Sequence, residues 1–241
     1  MRYAFLSDIH GVFHALEVVL ADIRRAPVDK IVCLGDVAGL GPQPREVLAC
    51  LRQLQIPVIM GNHDHYLLNP QLTENHHPWL RAAEQWCLAQ VSEDDLEFVR
   101  SFKPNLSLVD DSNVTLLCFH GSPRSNEEWL YPTVTSETLD EIFGEQNASV
   151  WVGGHTHVQM VRQHKGKLLL NPGSVGKPFR FPMEDANQFI FPWAEYATLE
   201  ILDGRFSVNL HRLPIDFEQI AQAARASGLP DAEFWLSTWV V

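Results

Sequence analysis

The sequence has few cysteines, and those it has are widely spaced. Four occur among 241 residues, and no two of them form a Cys-x-x-Cys pair. This spacing excludes zinc ribbons and thioredoxin-type redox motifs, which need paired cysteines. Cys33 and Cys118 lie inside apolar runs, so we expect both to be buried thiols in a reducing compartment.

The chain also lacks a basic run and a long apolar run. Eighteen Lys and Arg residues stand against 30 Asp and Glu, which gives a formal net charge of −12. Such a surface opposes binding to long nucleic acids and anionic membranes, but it does not exclude a small anionic substrate. The amino terminus reaches Asp8 and His10 too early for a signal-peptide core or a spanning helix. We therefore expect a cytoplasmic protein, and the oligomeric state is left open.

The length and the even composition predict one α/β domain over residues 1–241. Apolar runs at Tyr3–Leu6 and Lys30–Leu34 predict strands, and the helical spacing within His14–Ile23 places a helix between them. Hairpin-like pairs in the second half predict antiparallel strands, so we expect a mixed α/β fold. Further predicted strands are 57–60, 106–109, 115–119, 149–152, 159–164, 167–170, 197–202 and 205–210, and further helices are 46–54, one or two within 78–102, 136–143 and 215–227.

Five of these strands end at residues that bind metals or carry protons. They are Asp8 with His10, Asp36, Asn62 with His63, His120, and His155 with His157. In open α/β sheets ligands sit beyond the carboxyl ends of the strands, so residues spread over about 150 positions could converge there. Each residue alone is more typical of a cap or a turn, and only the joint pattern indicates a site. Imidazole, carboxylate and amide ligands suit Mn, Fe, Zn, Co or Ni.

The pattern resembles the calcineurin-like metallophosphoesterase superfamily. The matching blocks are Asp8-Ile9-His10, Gly35-Asp36, Gly61-Asn62-His63-Asp64, His120-Gly121 and Gly154-His155-Thr156-His157, followed by a family-like segment at 171–176. Gly39-Leu40-Gly41-Pro42 and His120-Gly121-Ser122-Pro123 resemble the small prokaryotic phosphodiesterase branch in particular. The resemblance implies a four-layer αββα sandwich, in which two mixed β-sheets pack face to face and helices flank them.

The resemblance also implies two divalent metal ions and a role for each matching residue. Asp8, His10 and His157 would hold the first ion, Asn62, His120 and His155 the second, and Asp36 would bridge both. His63 would act as the general acid that protonates the leaving oxygen. A metal-bridging hydroxide would attack a small phosphodiester or phosphomonoester, without a covalent enzyme intermediate.

The sequence departs from the family pattern at two places. Protein Ser/Thr phosphatases have a second aspartate and an arginine after the Gly-Asp block, where this chain has Gly39, Leu40 and Gly41. The carboxylate that partners the acid histidine in those enzymes is therefore missing, which disfavours protein phosphatase and diadenosine tetraphosphatase activity. Val12 replaces an asparagine that many relatives have, but it touches no ligand position.

Other functions remain open on the same residues. A nuclease, a cyclic nucleotide phosphodiesterase or a diadenosine polyphosphate hydrolase would use the same site on another substrate. A non-catalytic metal-binding scaffold, like the family member in the retromer trafficking coat, would need no acid histidine. Because this chain keeps every ligand and His63, the pattern favours an enzyme.

For several residues near the blocks, the sequence indicates a functional role only weakly. Arg124 and Arg180 could bind a substrate phosphate bidentately, although a solvated arginine is the simpler interpretation of each. Asp64 either orients a neighbouring group or caps a turn. Surface positions are expected for His65, His76, His77 and His164, with an overhanging loop as the alternative for His76 and His77.

Overall fold

Two mixed β-sheets form the centre of the computed structural model, which describes residues 1–70, 77–144, 146–179 and 189–240. The strands within these residues are β1 (Arg2–Leu6), β2 (Lys30–Cys33), β3 (Leu106–Val109), β4 (Thr115–Cys118), β5 (Val150–Val152), β6 (Met160–His164), β7 (Lys167–Asn171), β8 (Trp193–Leu202) and β9 (Arg205–Pro214). The helices are α1 (Phe13–Arg25), α2 (Pro44–Leu54), α3 (Asn62–Leu68), α4 (Pro78–Gln90), α5 (Glu93–Arg100), α6 (Ser136–Phe143), α7 (Phe217–Ser227) and α8 (Ala232–Ser237).

The first sheet has the strand order β2-β1-β8-β9. β1 pairs in parallel with β2 and antiparallel with β8, which forms a hairpin with β9. The turn of that hairpin is Asp203-Gly204, and both residues have positive φ, as a two-residue turn between twisted strands requires. The predicted hairpin is confirmed, although both of its strands are longer than their apolar patterns.

The second sheet has the strand order β3-β4-β5-β7-β6. The three central strands β4, β5 and β7 are parallel, and the edge strands β3 and β6 are antiparallel to their neighbours. Parallel central strands place their carboxyl ends at one edge of the sheet, which is where His120 and His155 follow β4 and β5.

Alternate side chains of the two sheets meet in one apolar layer. Tyr3 and Phe5 of β1 contact this layer from the first sheet, and Leu116 and Cys118 of β4 from the second. Because successive side chains in a strand point to opposite faces, Leu6 of β1 instead packs with the helices. Helices α1, α2 and α7 cover the first sheet, and α6 covers the second. The predicted four-layer αββα sandwich is thus confirmed.

The predicted strand at 57–60 is wrong as a full strand. Only single bridges form there, from Val58 to Cys33 and from Ile59 to Lys103. Pro57 has no N–H to donate, and the chain turns into α3 at Asn62, so the ladder cannot extend. The helices α3 and α8 were not predicted, because seven and six residues are too short to show a helical period.

Cys33 and Cys118 are buried, as predicted, and all four cysteines are free thiols. Among the helices that the structure describes, none is both long and apolar enough to cross a membrane. The cytoplasmic location, the single domain over 1–241 and the absence of nucleic-acid binding stay predictions.

Candidate metal centre

The seven residues predicted as metal ligands lie together in one buried cluster between the two sheets' carboxyl edges. Asp8 and His10 follow β1, Asp36 follows β2, and Asn62 begins α3. The remaining three, His120, His155 and His157, follow β4 and β5. All seven are at most 6% exposed, so these polar groups are removed from water.

Asp8, His10 and His157 form the first group, as the sequence predicted. The Nε2 atoms of His10 and His157 lie 3.1 Å apart, and Asp8 Oδ1 lies 3.3 Å from His157 Nε2. The three side chains thus offer two nitrogens and a carboxylate oxygen toward one point, which is a set of donors suited to a borderline divalent metal.

Asp36, His120, His155 and Asn62 form the second group. Asp36 Oδ2 lies 3.3 Å from His120 Nε2, and Asn62 Oδ1 lies 3.2 Å from the same nitrogen. The same Asp36 oxygen is 3.7 Å from His10 Nε2 in the first group. The carboxylate of Asp36 therefore stands between the two groups, where a bridging ligand must be.

The hydrogen bonds of the histidines show that a cation fits here. His10 Nδ1 donates to Gly39 O at 3.1 Å, and His157 Nδ1 donates to Lys177 O at 2.6 Å. A neutral imidazole that donates from Nδ1 presents a lone pair at Nε2, so the two Nε2 lone pairs face each other. Asp8 Oδ1 and His155 Nε2 are also buried without a hydrogen-bond partner. These unpaired acceptors suit metal ligation, and the residues present fit two metal ions.

The pKa shifts within the cluster show which of its groups are already in the protonation state that binds metal. Burial disfavours a charged His120, but the charge and hydrogen bond of Asp36, the charge of Asp8 and the carbonyl of Leu34 together outweigh it and raise the pKa of His120 to about 9. Burial also disfavours ionised Asp36, yet His120 and His63 hold the pKa of Asp36 well below its usual range. Burial and the neighbouring His120 lower the pKa of His155 to about 4. Asp36 is thus kept ionised and His155 neutral, which are the states that bind metal, whereas His120 has to release a proton when a metal binds.

The backbone of the site adopts a conformation that the sequence did not reveal. Asp8, His10, Asp36, His155 and His157 all have φ between 49° and 66°. This left-handed region is uncommon for residues other than glycine, and it concentrates at functional sites. Five sharp turns of this kind bring side chains from separate strands to one place.

Two neighbouring elements hold these turns. In the 171–176 segment, Ser174 Oγ donates to Asp8 O at 2.7 Å, and Asn171 Nδ2 donates to Gly154 O at 2.7 Å. Asp64 accepts hydrogen bonds from the N–H groups of Asp36 and Val37 at 2.8 and 2.9 Å. Asp64 therefore fixes the turn that carries the Asp36 carboxylate. It also accepts from Gly61 N–H at 3.1 Å and so caps the start of α3, which means that both roles considered for it are observed.

His63 lies at the edge of the cluster, with a carboxylate partner that sequence reasoning missed. His63 Nδ1 forms a short hydrogen bond with Glu84 Oε1 of α4, and Glu84 is only 6% exposed. The His63 ring also packs edge-on against His10, with 5.2 Å between centroids. The expectation that the acid histidine lacks a carboxylate partner was wrong, because a residue 21 positions away supplies it. No local motif marks Glu84, since its role depends on where α4 packs.

Lys177 is a second residue that the sequence analysis did not select. Its side chain is buried, and burial lowers the pKa of its ammonium to about 8 against the attraction of Glu84 and Asp36. The ammonium lies 5.9 Å from the centre of the Phe179 ring, which stacks on His157. A buried cation thus lies close to the candidate metal ligands, directly after the family-like segment 171–176.

The two arginines and the outlying histidines have different outcomes. Arg124 forms a bidentate pair with Glu128, so its contact with substrate stays a prediction, and Arg180 lies outside the described residues together with His76. His65 and His77 are exposed, as expected, and His77 caps α4. The surface position expected for His164 is wrong, because it is buried and pairs with Asp140 at 2.8 Å.

Comparison with known proteins agrees with this geometry. Residues 1–191 match the family model described as a calcineurin-like phosphoesterase superfamily domain, and the chain belongs to that superfamily. Its metal-dependent members hydrolyse phosphate esters. An uncharacterized protein of Methanocaldococcus jannaschii, MJ0912, is 28% identical over 97% of this chain and 94% of its own length. The crystal structure of a metallophosphoesterase from Sphaerobacter thermophilus superimposes with a TM-score of 0.76 at 28% identity, covering 99% of this chain and 98% of that one.

A shorter likeness concerns a named activity. The symmetrical bis(5'-nucleosyl)-tetraphosphatase of Sodalis glossinidius is 38% identical over 71 residues, which are 28% of this chain and 25% of that protein. The chain therefore matches about a quarter of that relative's length. This match does not extend over the whole of either protein.

Proposed function

We propose that the protein is a dinuclear metal-dependent phosphoesterase that hydrolyses a small phosphodiester or phosphomonoester. The observation that carries the proposal is the pair of buried ligand groups joined by Asp36, with His63 beside them. Two divalent cations bound there would activate water near neutral pH and neutralise the charge of the phosphate.

In this proposal the chain's own residues position the ions and move one proton. Asp8, His10 and His157 would hold the first ion, Asn62, His120 and His155 would hold the second, and Asp36 would be shared by the two groups. His63 donates the proton that the leaving oxygen needs, and Glu84 holds the His63 ring through Nδ1 so that Nε2 carries that proton. The net charge of −12 supports a small substrate over a long nucleic acid.

The test combines metal analysis with turnover. The purified protein with added Mn²⁺ should hydrolyse bis(p-nitrophenyl) phosphate, and elemental analysis should find two divalent ions per chain. His63→Ala should keep its metals, because His63 is not a ligand, and should lose activity on an ester with a more basic leaving group, such as methyl phenyl phosphate. Absence of turnover with each of Mn, Fe, Zn, Co and Ni would reject the proposal.

A non-catalytic scaffold is the alternative from another class of function. Such a protein would bind metal through the same seven residues but would have no use for a histidine with a buried carboxylate partner. The His63–Glu84 pair therefore favours the enzyme. A protein that is fully loaded with metal and inactive on a panel of cyclic nucleotides, dinucleotides and sugar phosphates would favour the scaffold instead.

A further inference from the structure

A pair of aromatic side chains, one exposed and one half-buried, lies directly beside the candidate metal ligands. The Trp129 ring is 47% exposed, and its centre lies 4.1 Å from the centre of the His155 ring. Tyr131 stacks on Trp129 with the two planes within 10° and the centroids 5.4 Å apart. We call these two side chains the aromatic platform.

The loop that carries the platform is held firmly on both sides of the site. Asn126 Nδ2 donates to Gly61 O at 3.2 Å, just before Asn62 and His63. Glu127 accepts a hydrogen bond of 2.9 Å from Tyr66, whose ring packs against His63. Leu130, between the two platform residues, is buried in the core under α6. The platform is therefore fixed in place before any substrate arrives, so that binding would not have to order it.

An exposed aromatic residue is not unusual by itself, since single apolar side chains are common on protein surfaces. Phe206, on β9, is an example at 38% exposure. Trp129 differs because it contacts a predicted metal ligand and has a second aromatic ring aligned with it. The exposed part of the Trp129 indole is planar and apolar, so it can bind a planar ring and needs no positive charge to do so.

We propose that the aromatic platform binds a planar aromatic ring in the alcohol part of the phosphate ester, and that this ring is the base of a nucleoside phosphate. This inference rests on the proposed function, because it assigns the group attached to a phosphate held at His155 and its neighbours. A base bound by stacking gains affinity without sequence-specific hydrogen bonds, so purine and pyrimidine nucleotides are both accepted.

Calorimetric binding to the Mn²⁺-loaded protein tests the platform without relying on turnover, provided that every protein compared, the reference called wild type included, carries His63→Ala and so cannot hydrolyse the ligands. The ligands are adenosine 5′-monophosphate, ribose 5-phosphate and phenyl phosphate, which share the phosphate and differ in the ring. We expect adenosine monophosphate to bind at least about tenfold more tightly than ribose 5-phosphate, as one stacked base provides. Tighter binding of phenyl phosphate than of the nucleotide would overturn the assignment to a base.

Substitutions of Trp129 separate stacking from structural support. Trp129→Leu should remove the preference for adenosine monophosphate and leave binding of ribose 5-phosphate unchanged, whereas Trp129→Phe should keep most of the preference. Phe206→Ala is the matched control and should behave as the wild type. Equal binding of the two ligands by the wild type, or equal weakening of both in Trp129→Leu, would overturn the inference. Failure of the proposed function is seen separately, as lack of hydrolysis by the protein with His63 intact when its His63→Ala form does bind these ligands.

Discussion

Replacing Glu84 by Gln removes one charge from the candidate acid and leaves its geometry in place. The amide oxygen that Glu84→Gln introduces can still accept the Nδ1 hydrogen bond of His63, so the ring keeps its orientation and tautomer. The carboxylate no longer stabilises the imidazolium, from which the proton must leave. Burial lowers the pKa of His63, and Asp36 and Glu84 together outweigh it and raise that pKa. Removing Glu84's charge should therefore lower the pKa of His63.

The expected loss follows from the type of hydrogen bond. A charge-assisted bond contributes roughly 1.5–3 kcal/mol and a neutral one about 1 kcal/mol. The difference is about 0.5–2 kcal/mol, with a middle of about 1.25 kcal/mol. At a pH above the pKa of His63 this lowers the fraction of protonated acid, and with it the rate, by nearly tenfold. Glu84→Ala leaves His63 Nδ1 without this partner and should lower the rate of hydrolysis about a hundredfold, which is within the range for general acids.

The assay compares two substrates that differ only in the leaving group, methyl p-nitrophenyl phosphate and methyl phenyl phosphate. Phenolate is the more basic leaving group and needs the proton more, so Glu84→Gln should slow its release about tenfold and that of p-nitrophenolate much less. The protonated acid is lost as pH rises through the pKa of His63, so the alkaline limb of the profile should move to lower pH. Glu200→Gln, an exposed carboxylate on β8, is the matched control. Equal slowing of both substrates, with an unmoved alkaline limb, would refute the reasoning.

Three further substitutions test other parts of the structure. Asp36→Asn should reduce the metal content below two ions per chain by elemental analysis, because the shared carboxylate loses its charge; unchanged content would contradict its bridging position. Gly61→Ala should lower metal affinity in a titration, because an added Cβ would overlap the carboxylate and the backbone N of Asp36 and displace the turn that carries Asp36. Ser92→Ala should cost about 1 kcal/mol of unfolding free energy in urea, because it removes the side chain that caps α5; a change near zero would show that Asp95 alone suffices.

The convergence of the ligands was predictable because strand ends are visible in the sequence. Each apolar run stops at a polar residue, and parallel strands bring such residues to one edge. Asp36 followed directly from this rule. What the sequence could not show is the left-handed backbone at five ligands, since no residue type there requires positive φ. Only the crowding of turns from separate strands determines that conformation.

Two other features were missed because they depend on packing between distant segments. Lys177 is buried near the candidate metal ligands although lysine is normally exposed, and no sequence pattern predicts that burial. No sequence pattern distinguishes Trp129 from the other aromatic residues, and only the structure places its ring against that of His155. In both cases the chemistry comes from a neighbour that is far away in the chain, and periodicity carries no information about it.

The carboxylate that partners His63 comes from a different position in the chain than the corresponding carboxylate of protein phosphatases. Protein phosphatases have their aspartate where this chain has Gly39, and a Cβ added to Gly39 would come within 2.8 Å of Glu84 Oε1. The Glu84 carboxylate thus fills the space that a side chain at position 39 would occupy. Gly39→Asp alone should therefore be destabilising, because two carboxylates would compete for one buried space. Combined with Glu84→Ala, it should recover at least about a tenth of the lost rate on methyl phenyl phosphate. A double variant no more active than Glu84→Ala would show that the direction of approach to Nδ1 matters as well as the charge.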